Sequence, residues 1–434
     1  MELYSTRRQS PNVGLREAVF RGLPPDNGLY MPTQIPSLPA SFFERLPKMN
    51  LTQIAVEVSK TLIGSDVPEN ELKTLVEDAI NFEAPLVNVE GNIFSLELFH
   101  GPTLAFKDFG ARFMSRLMSY FLKSKKENIH ILVATSGDTG SAVAQGFLGV
   151  EGINVTILYP SGKVSEVQEK QLTTFGQNIS ALEIKGSFDD CQRMVKEAFL
   201  DKELSQKFNL ASANSINIAR LIPQSFYYFY AFGQLMEDKK PIVFCTPSGN
   251  FGNLCGGLIA KKMGLPVAKF IAATNANNII PNYLATGKFE PKPSVQTISN
   301  AMDVGNPSNF PRLHHLFDES LEEERKNIVG KWFNDEQTLR IIREVDERTS
   351  YVMCPHSAIG YLGISEYLKE SGKGEYGVFL ATAHPAKFAD IVETAIEEPV
   401  VLPERLQEVV KKPKKSILME NKFEALKEHL LNNY

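Results

Sequence analysis

Cysteine is scarce in this chain, and the four present (Cys191, Cys245, Cys255 and Cys354) are scattered with no Cys-x-x-Cys pair. That spacing supports neither a disulfide framework nor a zinc knuckle, and it fits a reducing compartment. A basic excess is also missing: Lys and Arg total 46 against 51 Asp and Glu, a net charge of -5. Such a balance favours neither nucleic acid nor an anionic membrane as partner, while leaving local anion sites open. No run approaches the ~20 apolar residues that span a bilayer. Residues 1–12 are polar and basic with no apolar core, so an ordinary secretory signal is not expected. The histidines show no metal-ligand spacing, and no metal is expected. With no internal repeat and no low-complexity tract either, the expectation is a soluble, cytoplasmic protein.

What is there is an ordinary globular composition, 43% hydrophobic over 434 residues, enough for two or three domains with an ample core. Its most informative stretch is His100-Gly101-Pro102-Thr103-Leu104-Ala105-Phe106-Lys107-Asp108-Phe109-Gly110. Gly101-Pro102 ends an apolar approach, and Phe109, Phe113, Leu117 and Phe121 then recur every four residues. Lys107 is thereby predicted in the first turn of an amphipathic helix. The positive end of the helix dipole, together with burial among Leu104, Phe106 and Phe109, would depress its pKa and supply free amine near neutral pH. A free amine attacks an aldehyde to form a Schiff base. The plainer reading is a lysine whose stem packs on the helix while its charge reaches water beside Asp108. Only further sites in the chain decide between the two.

From residue 129 onward strand and helix patterns alternate. Strands are predicted at 129–134, 153–159, 179–184, 242–246, 267–274 and 378–382. Helices are predicted at 139–148, 164–175, 188–200 with Ser187 as N-cap, 223–236 and 254–263. This alternation implies parallel sheets with helices on both faces, which bind ligands at the carboxyl ends of the strands. Residues 281–311, rich in Pro, Asn and Ser, read as a surface insertion or mobile lid. Residues 321–348 read as a charged pair of helices, and the lysine-rich stretch 403–434 as a solvated face. The expected division is a mostly helical domain over 1–92 followed by α/β lobes over 93–225 and 226–434.

Three loops in this frame carry chemistry. Ser248-Gly249-Asn250-Phe251-Gly252-Asn253 stands between a strand and a helix, and its glycines let backbone N–H groups converge on one anion at a helix N-terminus. The Gly-x-x-Gly spacing is neither a nucleotide P-loop nor Gly-x-Gly-x-x-Gly; with no lysine or magnesium-binding hydroxyl, it suits a phosphate held and not transferred. An ordinary strand-to-helix turn would look similar. Thr135-Ser136-Gly137-Asp138-Thr139-Gly140-Ser141 offers hydroxyls and N–H groups to a carboxylate, although Ser, Asp and Thr are also what a helix cap requires. In Ala381-Thr382-Ala383-His384-Pro385, Thr382 presents a neutral hydroxyl to a ring nitrogen, and His384 is either a structural hydrogen-bonder or a catalyst.

In this order the Lys107 segment, the 136–140 loop, the 248–253 cup and the 381–385 strand end resemble the fold-type-II pyridoxal-phosphate enzymes. More narrowly, Gly22-Leu23-Pro24-Pro25-Asp26-Asn27-Gly28-Leu29-Tyr30-Met31-Pro32 and the Lys107 segment resemble the threonine-synthase branch, as does Asp138 where the wider group usually has asparagine. The resemblance covers essentially the whole chain. It implies an α/β fold of two parallel-sheet lobes plus the helical leading domain, with Lys107 and the carboxylate loop in the first lobe and the phosphate cup in the second. It implies that pyridoxal 5'-phosphate is carried by Lys107, with its phosphate on Gly249, Asn250, Phe251, Gly252 and Asn253 and its ring nitrogen on Thr382. The implied reaction converts O-phospho-L-homoserine and water to L-threonine and phosphate. Thr135, Ser136, Gly137, Asp138, Thr139 and Gly140 would then hold the substrate carboxylate and nearby groups, and Lys163, Ser215 and Asn217 its phosphate. The implied enzyme is a monomer or small homo-oligomer whose partner is its small-molecule substrate. A phospho-lyase ending at a keto acid would share every cofactor residue. A nucleotide-binding regulatory protein, with Lys107 structural, is the reading from another class.

Overall fold

The computed structural model describes residues 1–123, 128–135 and 137–434. Its leading region is helical, with Leu15–Arg21, Ala40–Arg45, Leu51–Ile63 and Glu69–Ala79, but it also holds a three-stranded antiparallel sheet of Val13–Gly14, Glu2–Ser5 and Tyr30–Pro32. The Pro-Pro-Asp-Asn-Gly turn makes that sheet possible. Asp26 Oδ1 accepts Ser5 Oγ at 2.6 Å and Gly28 N at 2.9 Å, and Asn27 takes φ 59°. A Cβ at Gly28 would lie 2.2 Å from Ser5 Oγ, so only glycine lets the chain turn this close to its partner strand.

Behind this region stand two sheets. The first is five-stranded and parallel, in the order Ser416–Glu420, Ile179–Lys185, Ile153–Pro160, Ile129–Ala134, Asn209–Ser212. The second is six-stranded, ordered Ile328–Trp332, Lys269–Thr274, Ile242–Pro247, Tyr376–Ala381, Ile93–Glu97, Leu86–Glu90, and parallel except for the last, antiparallel strand. The central strands are buried along their whole length because helices cover both faces, as their unbroken apolar runs require. Among the described residues, no helix is long and apolar enough to cross a membrane.

The sheets correct several expectations. Division at residues 92 and 225 does not follow the pairing: Leu86–Glu90 and Ile93–Glu97 join the sheet of the later lobe, and Ser416–Glu420 returns to the earlier one. Residues 321–348 are not two helices alone, since the strand Ile328–Trp332 lies between Leu321–Asn327 and Asp335–Thr349. The 403–434 stretch is more than a solvated face: Leu406, Leu426 and Leu430 are buried where its helices dock.

Lys107 begins the helix Lys107–Leu122. Its approach segment is stitched to the end of Tyr376–Ala381: Leu98 N donates to Ala381 O, Phe106 N to Thr382 O, and His384 N to Leu104 O. This stitching holds Leu104 in the left-handed region at φ 58°, which is costly for a side chain of its size. Phe109, Phe113 and Leu117 then bury the helix in the core, as their spacing predicted.

Candidate active site

Two connected hollows meet at Lys107. The inner one, of about 110 Å³, is lined by Lys107, Asp138, Thr139, Thr382 and the whole loop 248–253. The outer, a cleft of about 550 Å³, shares Lys107, Thr139, Ser215 and Asn250 with it and reaches Lys163 at its rim. Lys107 and the glycine loop thus face the same small space.

Burial is the main influence on the Lys107 amine and pushes its pKa down to about 8; Asp138 opposes this, while Arg220 and Lys387 add to it. The predicted depression is present, with desolvation its leading cause. Desolvation also drives His356, on the same cavity wall, down to about 4 and so neutral. Its Nε2 accepts the Ala301 N–H at 3.2 Å, which puts the ring proton on Nδ1.

The strand Ile242–Pro247 delivers the glycine loop to the helix Gly252–Lys262, with Phe251 at φ 59° as the pivot between them. First-turn N–H groups of that helix have no intrahelical carbonyl, and Gly252 and Asn253 of this turn line the inner hollow. Gly249 is required sterically, since a Cβ there would fall 2.8 Å from Met302 Cα. Asn253 Oδ1 accepts the hydroxyls of Tyr227 at 2.5 Å and Tyr228 at 3.0 Å, while its Nδ2, although buried, has no partner among the described residues. An orphaned donor beside a row of free amides is the complement of an anion. These residues therefore fit the phosphate end of pyridoxal phosphate, and Lys107 and Thr382 on the same cavity fit its aldehyde and ring.

Only part of the second loop faces the site. Thr135 Oγ1 accepts the N–H groups of Gly137 at 3.0 Å and Gly140 at 2.9 Å, so both amides serve the turn itself. A Cβ on Gly140 would meet Leu172 Cδ2 at 2.5 Å: this glycine packs against a helix and does not face the cavity. Gly137, at φ 143°, is the pivot into the helix Asp138–Phe147. Thr135 reaches the outer cleft, Asp138 the inner hollow and Thr139 both, whereas Ser136 lies outside the described residues. Asp138 is paired with Lys387 at 2.8 Å; burial pushes its carboxyl up, but Lys387 and Lys107 outweigh that and hold it well below the usual range.

Of the residues expected around a second phosphate, Lys163 and Ser215 line the outer cleft and Asn217 does not. Asn217 is fully buried, donating to Val19 O and Ser212 O and capping the helix Ile218–Leu221 through the Ala219 N–H. Its amide is spent on joining the leading region to the first lobe. His384 is likewise structural, its Nδ1 accepting Ala386 N at 3.1 Å to cap the turn Pro385–Phe388.

Several neighbours of the site carried no recognised signal in the sequence. His356 opens the helix Pro355–Ser371 in an unremarkable Pro-His-Ser string, and Arg220 and Lys387 are charges inside apolar surroundings, which was the one available hint. Residues 281–311, expected as a surface insertion or mobile lid, are exposed over much of 285–296 and also form a wall of the cleft. Ser294, Gln296, Asn300, Ala301 and Asp303 line the outer cleft, and Asn275 Nδ2 ties the segment down through Thr297 Oγ1 at 2.8 Å and Asp303 Oδ1 at 2.9 Å.

Comparison with known proteins agrees with this geometry. A family model described as pyridoxal-phosphate dependent enzyme matches residues 73–383. The chain belongs to the pyridoxal-phosphate-dependent enzymes, which sets aside a non-catalytic nucleotide binder. Models described as threonine synthase N terminus and threonine synthase, C-terminal match residues 2–80 and 357–430. Within the class the chain belongs to the threonine synthase family: it is 42% identical to threonine synthase of Escherichia coli and 44% to that of Haemophilus influenzae, covering 100% of both chains in each case. The crystal structure of the Escherichia coli enzyme superposes with a TM-score of 0.93 over 100% of both chains. A pyridoxal-phosphate-bound threonine synthase from Brucella melitensis, 35% identical, also gives 0.93, over 100% of this chain and 99% of that one.

Proposed function

We propose that Lys107 carries the cofactor and that the enzyme converts O-phospho-L-homoserine and water to L-threonine and phosphate. The observation that carries this reading is the joint presence, on one 110 Å³ hollow, of Lys107 and the amide loop 248–253. Pyridoxal phosphate, when bound, supplies an aldehyde for the substrate's amino group and a ring that takes up the electron pair of a breaking C–H bond.

The protein's own groups do the rest. The amides of residues 249–253 and Asn253 Nδ2 grip the cofactor phosphate, and Thr382 offers its hydroxyl to the ring nitrogen. A neutral partner there moderates the pull of the ring. Lys107, once released as a free amine, accepts and returns protons at the substrate's α, β and γ carbons, help worth about 10²–10⁴-fold per step. Thr139, at the N-terminus of its helix, receives the substrate carboxylate. Lys163 and Ser215, on the outer cleft, hold the substrate phosphate. The enclosing walls at residues 294–304 keep bulk water from the reacting carbons. Four buried, unpaired cysteines support a cytoplasmic setting, where the enzyme works as a monomer or small homo-oligomer.

Lys107→Ala tests the assignment. It is expected to abolish turnover even with cofactor added in excess, and borohydride reduction of the native enzyme is expected to leave the cofactor label on Lys107. Retention of most activity by the variant would refute the assignment. Incubation with O-phospho-L-homoserine is expected to yield threonine and phosphate in equal amounts; a keto acid in place of threonine would point to a phospho-lyase.

A further inference from the structure

A second buried lysine sits behind the wall of the inner hollow. Lys387 Nζ is fully buried, lies 2.8 Å from Asp138 Oδ1 and donates to Thr103 O at 2.8 Å. Gln168 Nε2 donates to the same Asp138 oxygen at 2.9 Å. Ser165 Oγ reaches Lys387 O at 3.3 Å, so the residue is held from its backbone as well as its tip.

The groups acting on Lys107 come from several elements: Asp138 on Asp138–Phe147, Arg220 on Ile218–Leu221 and Lys387 on the turn Pro385–Phe388, with neutral His356 on Pro355–Ser371. Asp108, next along the Lys107 helix, is turned to Thr103, accepting its N–H at 2.8 Å and its hydroxyl at 2.7 Å. Among those that act on the amine, Asp138 is the one that favours the ammonium form. A carboxylate alone in a dry cavity would seize the nearest cation, and a lysine so paired is neither nucleophile nor base.

We propose that Lys387 is a positioning residue of this enzyme: by engaging the Asp138 carboxylate as its own ion-pair partner, it leaves the amine of Lys107 unpaired and available as free base. The inference rests on Lys107 being the reactive amine. It adds that a residue touching neither cofactor nor substrate decides how much of that amine is ready. The sign follows from the charges. Without Lys387, Asp138 turns to Lys107 and the amine becomes harder to deprotonate; without both members of the pair, it does not.

The test is trace acetylation of the full-length, cofactor-free chain with acetic anhydride across the lysine titration range, read at Lys107 by peptide mass spectrometry. Native protein is expected to half-titrate at pH about 8. Lys387→Met should move that point up by about one unit or more, Lys387→Arg should keep it near the native value, and Lys387→Met with Asp138→Asn should return it to the native value or below. A Lys387→Met curve that overlays the native one overturns the proposal, and so do single and double variants that titrate alike. Should Lys387→Met fail to fold, the double variant, which buries no unpaired charge, decides: half-titration above the native value refutes the proposal, at or below supports it. A purely structural lysine would lower stability without these opposed shifts. Failure of the borohydride label to appear on Lys107 would defeat the attachment reading, whereas an unmoved Lys387→Met curve defeats this one alone.

Discussion

Gly249 and Asn217 show how differently two small residues near one site constrain it. The hydrogen of Gly249 faces the Met302 backbone, so a methyl group there has nowhere to go but into the loop itself. Overpacking of this kind costs about 1–3 kcal/mol, and here the strain falls on the amides proposed to hold the cofactor. Gly249→Ala is expected to weaken cofactor binding about tenfold or more, measured by titrating the visible absorption band. Asn217 bonds two carbonyls and caps a helix without lining the cleft itself. Asn217→Ala is expected to lower stability by about 1–3 kcal/mol with KM nearly unchanged, whereas Lys163→Ala is expected to raise KM with little change in melting. Steady-state kinetics beside denaturant unfolding separates them. The sequence placed both residues in recognisable strings, but Asn217 and Ser215 are two positions apart, and nothing in the letters says which faces the cleft.

At the scale of elements, legibility tracked burial and capping. Ile129–Ala134 and Phe188–Leu200 fall where apolar run and cap predicted them, because a strand buried on both faces and a helix with a full capping box leave little latitude. At the head of Phe188–Leu200, Ser187 Oγ accepts Asp190 N at 3.2 Å while Asp190 Oδ2 accepts Ser187 N at 2.8 Å. Ser187→Ala is expected to cost about 1 kcal/mol, seen as a lower denaturant midpoint at unchanged slope. Among the strands not predicted, Asn209–Ser212, Ile328–Trp332 and Ser416–Glu420 are edges. Paired on one side, they need no continuous apolar run, and Ile328–Trp332 carries Gly330, Lys331 and a half-exposed Trp332. The placing of loop 248–253 on one hollow with Lys107 was legible because a strand-to-helix turn of this kind is written in glycine. The Asp138–Lys387 pair was not, because its members are far apart in the chain.

For the whole molecule, buried titratable groups couple fold to solution. His130 is buried on its strand, Nε2 bonded to Thr156 Oγ1 at 2.8 Å and Nδ1 without a partner among the described residues, and burial lowers its pKa to about 4. In the unfolded chain the ring takes a proton near pH 6.5, while in the folded one it resists until about 4. Folding stability from this residue is therefore complete above pH about 6.5 and drains away as the pH falls towards 4, at up to about 1.4 kcal/mol per unit. His130→Gln removes that drain. The variant should be the less stable protein at pH 7, and the gap should narrow as unfolding is measured at successively lower pH.

The strand Ser416–Glu420 completes the sheet that carries Asp138 and Thr139, yet it is made after every other strand of both lobes. A ribosome delivering this chain has emitted Lys107 and the glycine loop 248–253 long before that strand appears. During the interval the flank of Ile179–Lys185 stands open, a row of unpaired amides and carbonyls of the kind that recruits stray strands from neighbouring nascent chains. Once Ser416–Glu420 pairs there, that seam is closed.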